Sequence, residues 1–374
     1  MNPSLYIHIP FCGRRCVYCN FYSSIYDKDT ASSYIDALAA QAEKIERPPS
    51  TIYIGGGTPT VLDTLLLERL VKCLRRFSKE ALEFTFEANP ESLDADKLRM
   101  LSGYGVTRLS IGIQSLDENK LKKLGRLHTL AKARESVALA ESAGFKNISV
   151  DLIFGVWGEK MKIWKRELEE VVLLPITHVS CYELTYERGT PLFAALANKS
   201  LAPLEDDVTA EMYEAAIELL SLRGFKQYEV SNFAKSGFEC KHNLNYWENN
   251  PYIGLGASAV SYMDGVRSKF ISDAKVYTRR FREGRPLVES SEKLSPIRRA
   301  KETAAIKIRT RTGIDFKWFK DRTGYDLREL ERNALPKLIE DGLIKHKKDG
   351  DIITGIVLKR KGFLFCDTVS AELL

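Results

Sequence analysis

The first two-thirds of the chain repeats one unit: a short apolar run, a polar turn, then an amphipathic helical stretch. That rhythm predicts parallel strands joined by crossover helices. Strands are expected at Leu5–Ile9, Thr51–Ile54, Glu83–Glu87, Thr107–Ile111, Ile148–Ile153 and His178–Glu183, with a further one at Gln227–Val230. Helical stretches fall between them at Ala31–Ile45, Leu65–Phe77, Leu130–Ala143 and Val208–Leu222, and Gly144 and Gly224 follow two of these where a left-handed cap is expected. Polar or glycine-rich residues sit after the strands, at Gly55–Thr58, Glu87, Gln114 and Asp151. The active face is therefore expected at the C-terminal mouth of a barrel or partial barrel.

The alternation breaks down near Ser236 into an aromatic, Asn-rich stretch, and from Ser295 the text changes again. Helices at Ile297–Ile308, Phe316–Thr323 and Leu327–Asp341, a basic turn and strands at Ile352–Leu358 resemble a winged-helix module. The expected division is a barrel over 1–235, an extension over 236–290 that closes one side of it, and a C-terminal α+β domain over 291–374. The third C-terminal helix carries Arg328, Glu329, Glu331 and Glu340 in mixed sign, which favours protein contact over DNA. The 56 basic residues are nearly matched by 50 acidic ones, so the charge of +6 is too diffuse to predict a nucleic-acid partner. The clusters Arg309–Arg311 and Lys345–Lys348 suit either phosphate contact or plain surface. The cysteine count of 7 is odd, and no basic segment leads into an apolar run with a cleavage site. Reduced thiols and a cytoplasmic location are expected. No apolar run approaches the roughly 18 residues of a membrane span, so association with the inner membrane is expected to be peripheral at most.

Three thiols crowd onto one loop with the spacing Cys12-x3-Cys16-x2-Cys19. Three soft ligands on a four-iron cube leave one iron open to an amino acid's amine and carboxylate, which S-adenosylmethionine (SAM) offers. Zinc is the competing reading, but a closed site wants a fourth ligand, and Cys240 with His242 is the only candidate, far down the chain. A 4Fe-4S cluster with SAM performs one-electron reduction of a sulfonium and yields methionine and a 5'-deoxyadenosyl radical.

The run Tyr6-Ile-His-Ile-Pro-Phe-Cys-Gly-Arg-Arg-Cys-Val-Tyr-Cys-Asn-Phe resembles the start of the radical SAM proteins related to oxygen-independent coproporphyrinogen III oxidase. Gly55-Gly-Gly-Thr-Pro resembles their glycine strip, where missing side chains let the backbone approach SAM. Glu87 in Glu-Ala-Asn-Pro, Gln114 in Ile-Gly-Ile-Gln-Ser, Arg126 in Gly-Arg-Leu-His and Asp151 in Asp-Leu-Ile-Phe-Gly follow in the family's order. The resemblance implies a partial (β/α)6 TIM-like radical SAM barrel and a 4Fe-4S cluster on Cys12, Cys16 and Cys19. It implies that Tyr6 and Tyr18 contact SAM, that Gly56, Gly57 and Thr58 bind its methionyl end, and that Glu87, Gln114, Arg126 and Asp151 hold its remaining polar groups.

Two departures separate the branches. The oxidases carry a fourth cysteine two residues after the third and a long N-terminal extension, whereas here Phe21 takes that position and the cluster strand begins almost at Met1. The haem chaperone branch, HemW, is the better resemblance, with an aromatic residue at the Phe21 position and a motif His-Asn-x-x-Tyr-Trp. Here it reads His242-Asn243-Leu244-Asn245-Tyr246-Trp247. An imidazole can ligate haem iron axially while aromatic side chains cover the porphyrin face, so His242 is the expected haem ligand. The resemblance then implies a place in porphyrin metabolism, with transfer of haem to haem-requiring proteins, membrane-bound respiratory enzymes among them, and an electron donor for the cluster. Coproporphyrinogen III decarboxylation is the alternative. Trp157, where relatives commonly show proline, and Met161 and Trp164 are read as packing.

Overall fold

The structure is a computed structural model that describes residues 2–374. Strands β1 (Ser4–Ile9), β2 (Ile52–Gly56), β3 (Phe84–Ala88), β4 (Arg108–Gln114), β5 (Asn147–Phe154) and β6 (His178–Glu183) lie side by side in that order, all parallel. Helices Lys28–Ala42, Thr64–Leu74, Ala95–Gly103, Leu130–Ser142 and Met161–Val171 connect them. Parallel strands covered on both faces usually read as continuous apolar runs. These do not, because alternate residues serve two environments. Ile52, Ile54, Phe84, Phe86, Leu109, Ile111, Val150 and Leu152 are fully buried in one core with Leu38, Leu67, Leu70 and Val137 of the helices. Tyr53, Glu87, Arg108, Ser110, Asp151 and Ser180, from the intervening positions, line a cavity instead.

The sheet does not close on itself. Beyond β6 it continues through β7 (Asn232–Ala234), which runs antiparallel, and beyond β1 through β8 (Tyr252–Leu255), which runs parallel to β1 and leads into three antiparallel strands ending at Val288–Lys293. The strand expected at Gln227–Val230 is corrected to the short pair Lys226–Gln227 and Asn232–Ala234. The cause is Glu229, whose carboxylate turns back to accept the Ser231 N–H at 3.1 Å and the Asn232 side-chain amide, which breaks the extended run. Within the extension, helix Lys241–Trp247 packs at the N-terminal ends of β2 and β3 and forms the floor of the barrel.

In the C-terminal part, the helix expected over Leu327–Asp341 is corrected to two, Leu327–Leu330 and Ala334–Glu340. Pro336 accounts for the break: it cannot sit deep inside one long helix, but it is tolerated in the first turn of the second. Strands Ile344–Asp349 and Ile352–Leu358 form the expected hairpin, with Ile314–Asp315 as its third strand. Two short helices that the sequence reading did not foresee, Arg360–Leu364 and Cys366–Glu372, end the chain, and the Ser370 hydroxyl ties the last to the Ala305 carbonyl at 2.9 Å. Among the described residues no helix is long and apolar enough to cross a membrane.

The loops after β4 and β5 are fixed by a buried ion network. Lys120 Nζ meets Glu159 Oε1 at 2.6 Å and Glu167 Oε2 at 2.7 Å, all three almost fully buried, and Glu167 also accepts the Leu116 N–H at 2.6 Å. Breaking such a network leaves uncompensated charge in the interior. Lys120→Met is therefore expected to cost about 3–5 kcal/mol of stability, read as a lowered urea midpoint with an unchanged slope.

Candidate functional site

The cysteine loop follows β1 directly. Cys12 lies in a two-residue strand paired with Ser24–Ile25, and a turn from Cys16 O to Cys19 N brings the other thiols round. The glycine strip after β2 is zipped onto this loop, with Gly57 N donating to Ile9 O at 2.8 Å and Thr58 N to Phe11 O at 2.7 Å. Only glycine permits that approach. A Cβ on Gly57 would stand 2.6 Å from Phe11 O and 3.0 Å from Cys12 Sγ, and Gly56 adopts φ 117° with the His8 ring 2.6 Å from where a Cβ would be. The Thr58 hydroxyl points at Cys12 Sγ at 3.7 Å, and Arg126 Nη1 donates to Cys16 Sγ at 3.4 Å. Burial pushes the Cys12 and Cys19 thiols up from their ordinary range, so a cationic group is needed to hold them as thiolates.

The loop forms one wall of a cavity of about 610 Å³ at the barrel mouth. All three cysteines line it, as do Tyr18, Gly56, Gly57 and Thr58, with Glu87, Gln114 and Asp151 from successive strands and Arg126 from the loop after helix Glu118–Leu124. Glu87 accepts from Tyr53 OH at 2.7 Å and from Gly56 N at 3.0 Å, yet burial outweighs both and pushes its carboxyl up to about 7. Burial likewise raises Asp151, against hydrogen bonds from Ser180 and Ser110. Gln114 sits at φ 62° where the β4–β5 register slips, a strained backbone of the kind found beside ligands. Arg126 Nη2 donates to Gly112 O at 2.8 Å, but its buried Nε has no partner. Three thiols, a cradle without Cβ atoms, an uncommitted guanidinium donor and two protonatable carboxylates fit the iron-sulfur cube and amino-acid-bearing sulfonium expected from the sequence.

Two expected residues stand apart from the cavity. Tyr6 OH is hydrogen-bonded to His8 Nδ1 at 3.0 Å. His242 lies buried in the barrel floor, its Nδ1 2.7 Å from Thr51 Oγ1 and its Nε2 3.1 Å from Tyr246 OH, with the Tyr53 ring centroid 5.0 Å away. Burial, helped by Arg108, drives its pKa down to about 3, so the ring is neutral. Cys240 is on the same floor, its thiol against Glu83, so neither residue can complete a zinc site at the cysteine loop. Phe21, by contrast, stands on the cavity rim and is 70% exposed. Trp164 is core, with Nε1 donating to Met212 O at 2.8 Å, and Trp157 packs against the small cluster of Leu124, Ile153, Val156, Leu184 and Leu192.

Several cavity residues were missed by reading strand ends alone: Tyr53, Arg108, Ser110, Ser180, Tyr182 and Asn243. For all but Asn243, which lies on the helix Lys241–Trp247, the signal was the polar alternation inside the strands, as in Arg108-Leu-Ser-Ile-Gly-Ile-Gln.

Gly57→Ala is expected to push Cys12 out of place and to lose most of the iron and sulfide retained after anaerobic reconstitution, with far-UV circular dichroism unchanged. For Glu87 the sign is set by a folded-state pKa of about 7 against an ordinary 4.5. Its contribution to stability is full below the unfolded value and is lost as pH rises through about 7. In cluster-loaded protein without SAM, the thermal midpoint should therefore fall between about pH 5 and about pH 8, and Glu87→Gln should flatten that fall.

Residues 6–171 match the model of the radical SAM superfamily, and residues 294–365 match the HemN C-terminal domain. The heme chaperone HemW of Bacillus subtilis is 35% identical over 360 residues, covering 94% of this chain and 95% of that protein. The heme chaperone HemW of Mycobacterium tuberculosis is 32% identical over 380 residues, covering 99% and 94%. The solved coproporphyrinogen III oxidase HemN of Escherichia coli superposes with a TM-score of 0.83 at 21% identity, over 100% of this chain and 90% of that one, a likeness of fold. The barrel, its cysteine loop and the near full-length identity agree: the chain belongs to the HemW family of radical SAM proteins.

Proposed function

We propose that this chain is a haem chaperone that carries a 4Fe-4S cluster and SAM, binds haem and passes it to haem-requiring proteins. The observation that carries the reading is a match at 35% and 32% identity to two heme chaperones over more than nine-tenths of both partners' lengths. Phe21 supports it, because an exposed ring occupies the rim position where the oxidases have their fourth cysteine.

In this reading Cys12, Cys16 and Cys19 hold the cluster, and one-electron reduction of a sulfonium is the chemistry that cluster and SAM supply when bound. Gly56, Gly57 and Thr58 take the methionyl end of SAM with Tyr6 and Tyr18 nearby, and Glu87, Gln114, Arg126 and Asp151 take its other polar groups. Arg126 suits a carboxylate because its fork is fixed by Gly112 O and Cys16 Sγ and one donor is left over. Glu87 accepts hydrogen bonds best once ionised, above about 7. The cluster needs an external electron donor, and the acceptors include membrane-bound respiratory enzymes, met by a protein that touches the inner membrane only at its surface.

Axial ligation by His242 is the finer part of the proposal. Both ring nitrogens are engaged in the barrel floor. Ligation therefore requires helix Lys241–Trp247 to swing away from Thr51 and Glu83.

Anaerobic reconstitution followed by haem titration and a porphyrinogen assay on the same sample tests the function. Saturable haem uptake without sustained conversion of coproporphyrinogen III is expected; sustained turnover would reject the chaperone reading in favour of decarboxylation. His242→Ala is expected to alter the absorption spectrum of the haem complex, and an unaltered spectrum removes His242 as the ligand.

A further inference from the structure

Arg108, the first residue of β4, is 2% exposed and faces the cavity. Among the described residues no hydrogen bond or ion pair engages its guanidinium, and its buried Nε has no partner at all. Burial works against its charge, while the nearby Glu83 carboxylate favours it, and a guanidinium stays cationic at any ordinary pH. A buried cation without a direct partner is costly, and native proteins retain one where something arrives to pair with it.

The acidic groups nearby are otherwise occupied. Glu83 accepts the N–H groups of Lys241 at 3.1 Å and His242 at 3.3 Å and the Thr85 hydroxyl at 3.1 Å, so it caps the floor helix. Glu87 is taken by Tyr53 and Gly56, and Asp151 by Ser110. The remaining cavity wall near Arg108 consists of neutral donors and acceptors: Tyr53, Ser110, Ser180 and Asn243.

Arg108 is also separated from the other cavity arginine. Arg126 is docked on Gly112 O, which lies four residues farther up β4 than Arg108, roughly 13 Å along the strand. A carboxylate held at the cysteine loop lies at Arg126's end. Arg108 lies at the floor, among Cys240, Glu83 and Tyr53. The cavity thus holds two arginines, of which Arg126, already on Cys16 Sγ, is the one at the cysteine loop.

We propose that Arg108 anchors a carboxylate of a second ligand that shares the barrel with SAM, and that this carboxylate is a propionate of the porphyrin. The inference rests on the haem reading above and adds to it the place where the porphyrin is held. The planar fork of an arginine pairs bidentately with a carboxylate, and the exposed rings of Phe21 and Tyr182 line the way in from the mouth.

The test titrates cluster-loaded, SAM-bound protein with haem and with haem dimethyl ester, which lacks free propionates. The wild type is expected to bind haem about tenfold more tightly than the ester. Arg108→Gln should bind both at the level of the ester, with Arg108→Lys between. Equal affinities for haem and ester in the wild type overturn the proposal, whether or not the variants fold. So does an Arg108→Gln protein that still prefers haem, or one whose SAM affinity falls by the same factor as its haem affinity, which assigns the residue to SAM. A wild type that takes up neither compound overturns the haem reading itself, and the anchor with it.

Discussion

The structure depends on six parallel strands keeping two kinds of company at once. Alternate residues belong to the hydrocarbon layer under the helices, and on β2 to β6 residues between them face a polar chamber. Because the side-chain period of a strand is two, a register slip of one residue would turn the chamber's carboxylates and guanidinium into the core and Ile52 or Phe86 into the chamber. Register is thus specified from both faces. The polar groups inside it, Tyr53 to Glu87 to Gly56 and Ser110 to Asp151, follow from that one alternation.

The chamber is a place where charge is expensive. Burial dominates the behaviour of Glu87, Asp151, Cys12 and Cys19, in each case favouring the protonated form. These groups acquire charge together with a partner that pairs with it. Cofactor and protein therefore exchange protons as they meet, and the site is tuned for a loaded state.

What could be read from the chain beforehand was what is local. The cysteine spacing, the Gly56–Thr58 strip and the strand-end residues Glu87, Gln114 and Asp151 occupy short windows, and all of them line one cavity. The break at Pro336 is equally local. His242 was of another kind: its neighbour Thr51 is 191 residues away, and no window around His242-Asn-Leu-Asn-Tyr-Trp contains that information. The same holds for the role of Glu83 as cap of the floor helix, 158 residues from Lys241. Arg108 lay in plain view in an alternating strand, but its isolation emerges only when the occupied carboxylates around it are known.

That long reach of the floor helix sets an order of assembly. The cysteine loop precedes the helix that plugs the opposite end of the barrel, which is not complete until Trp247. During synthesis the six strands can pair and their outer helices can pack while the chamber still stands open at its base, with Glu83 lacking the N–H groups it later accepts. Sealing is a late, long-range event, and such contacts are the slow ones to form. The barrel is therefore a vessel whose rim is built before its bottom.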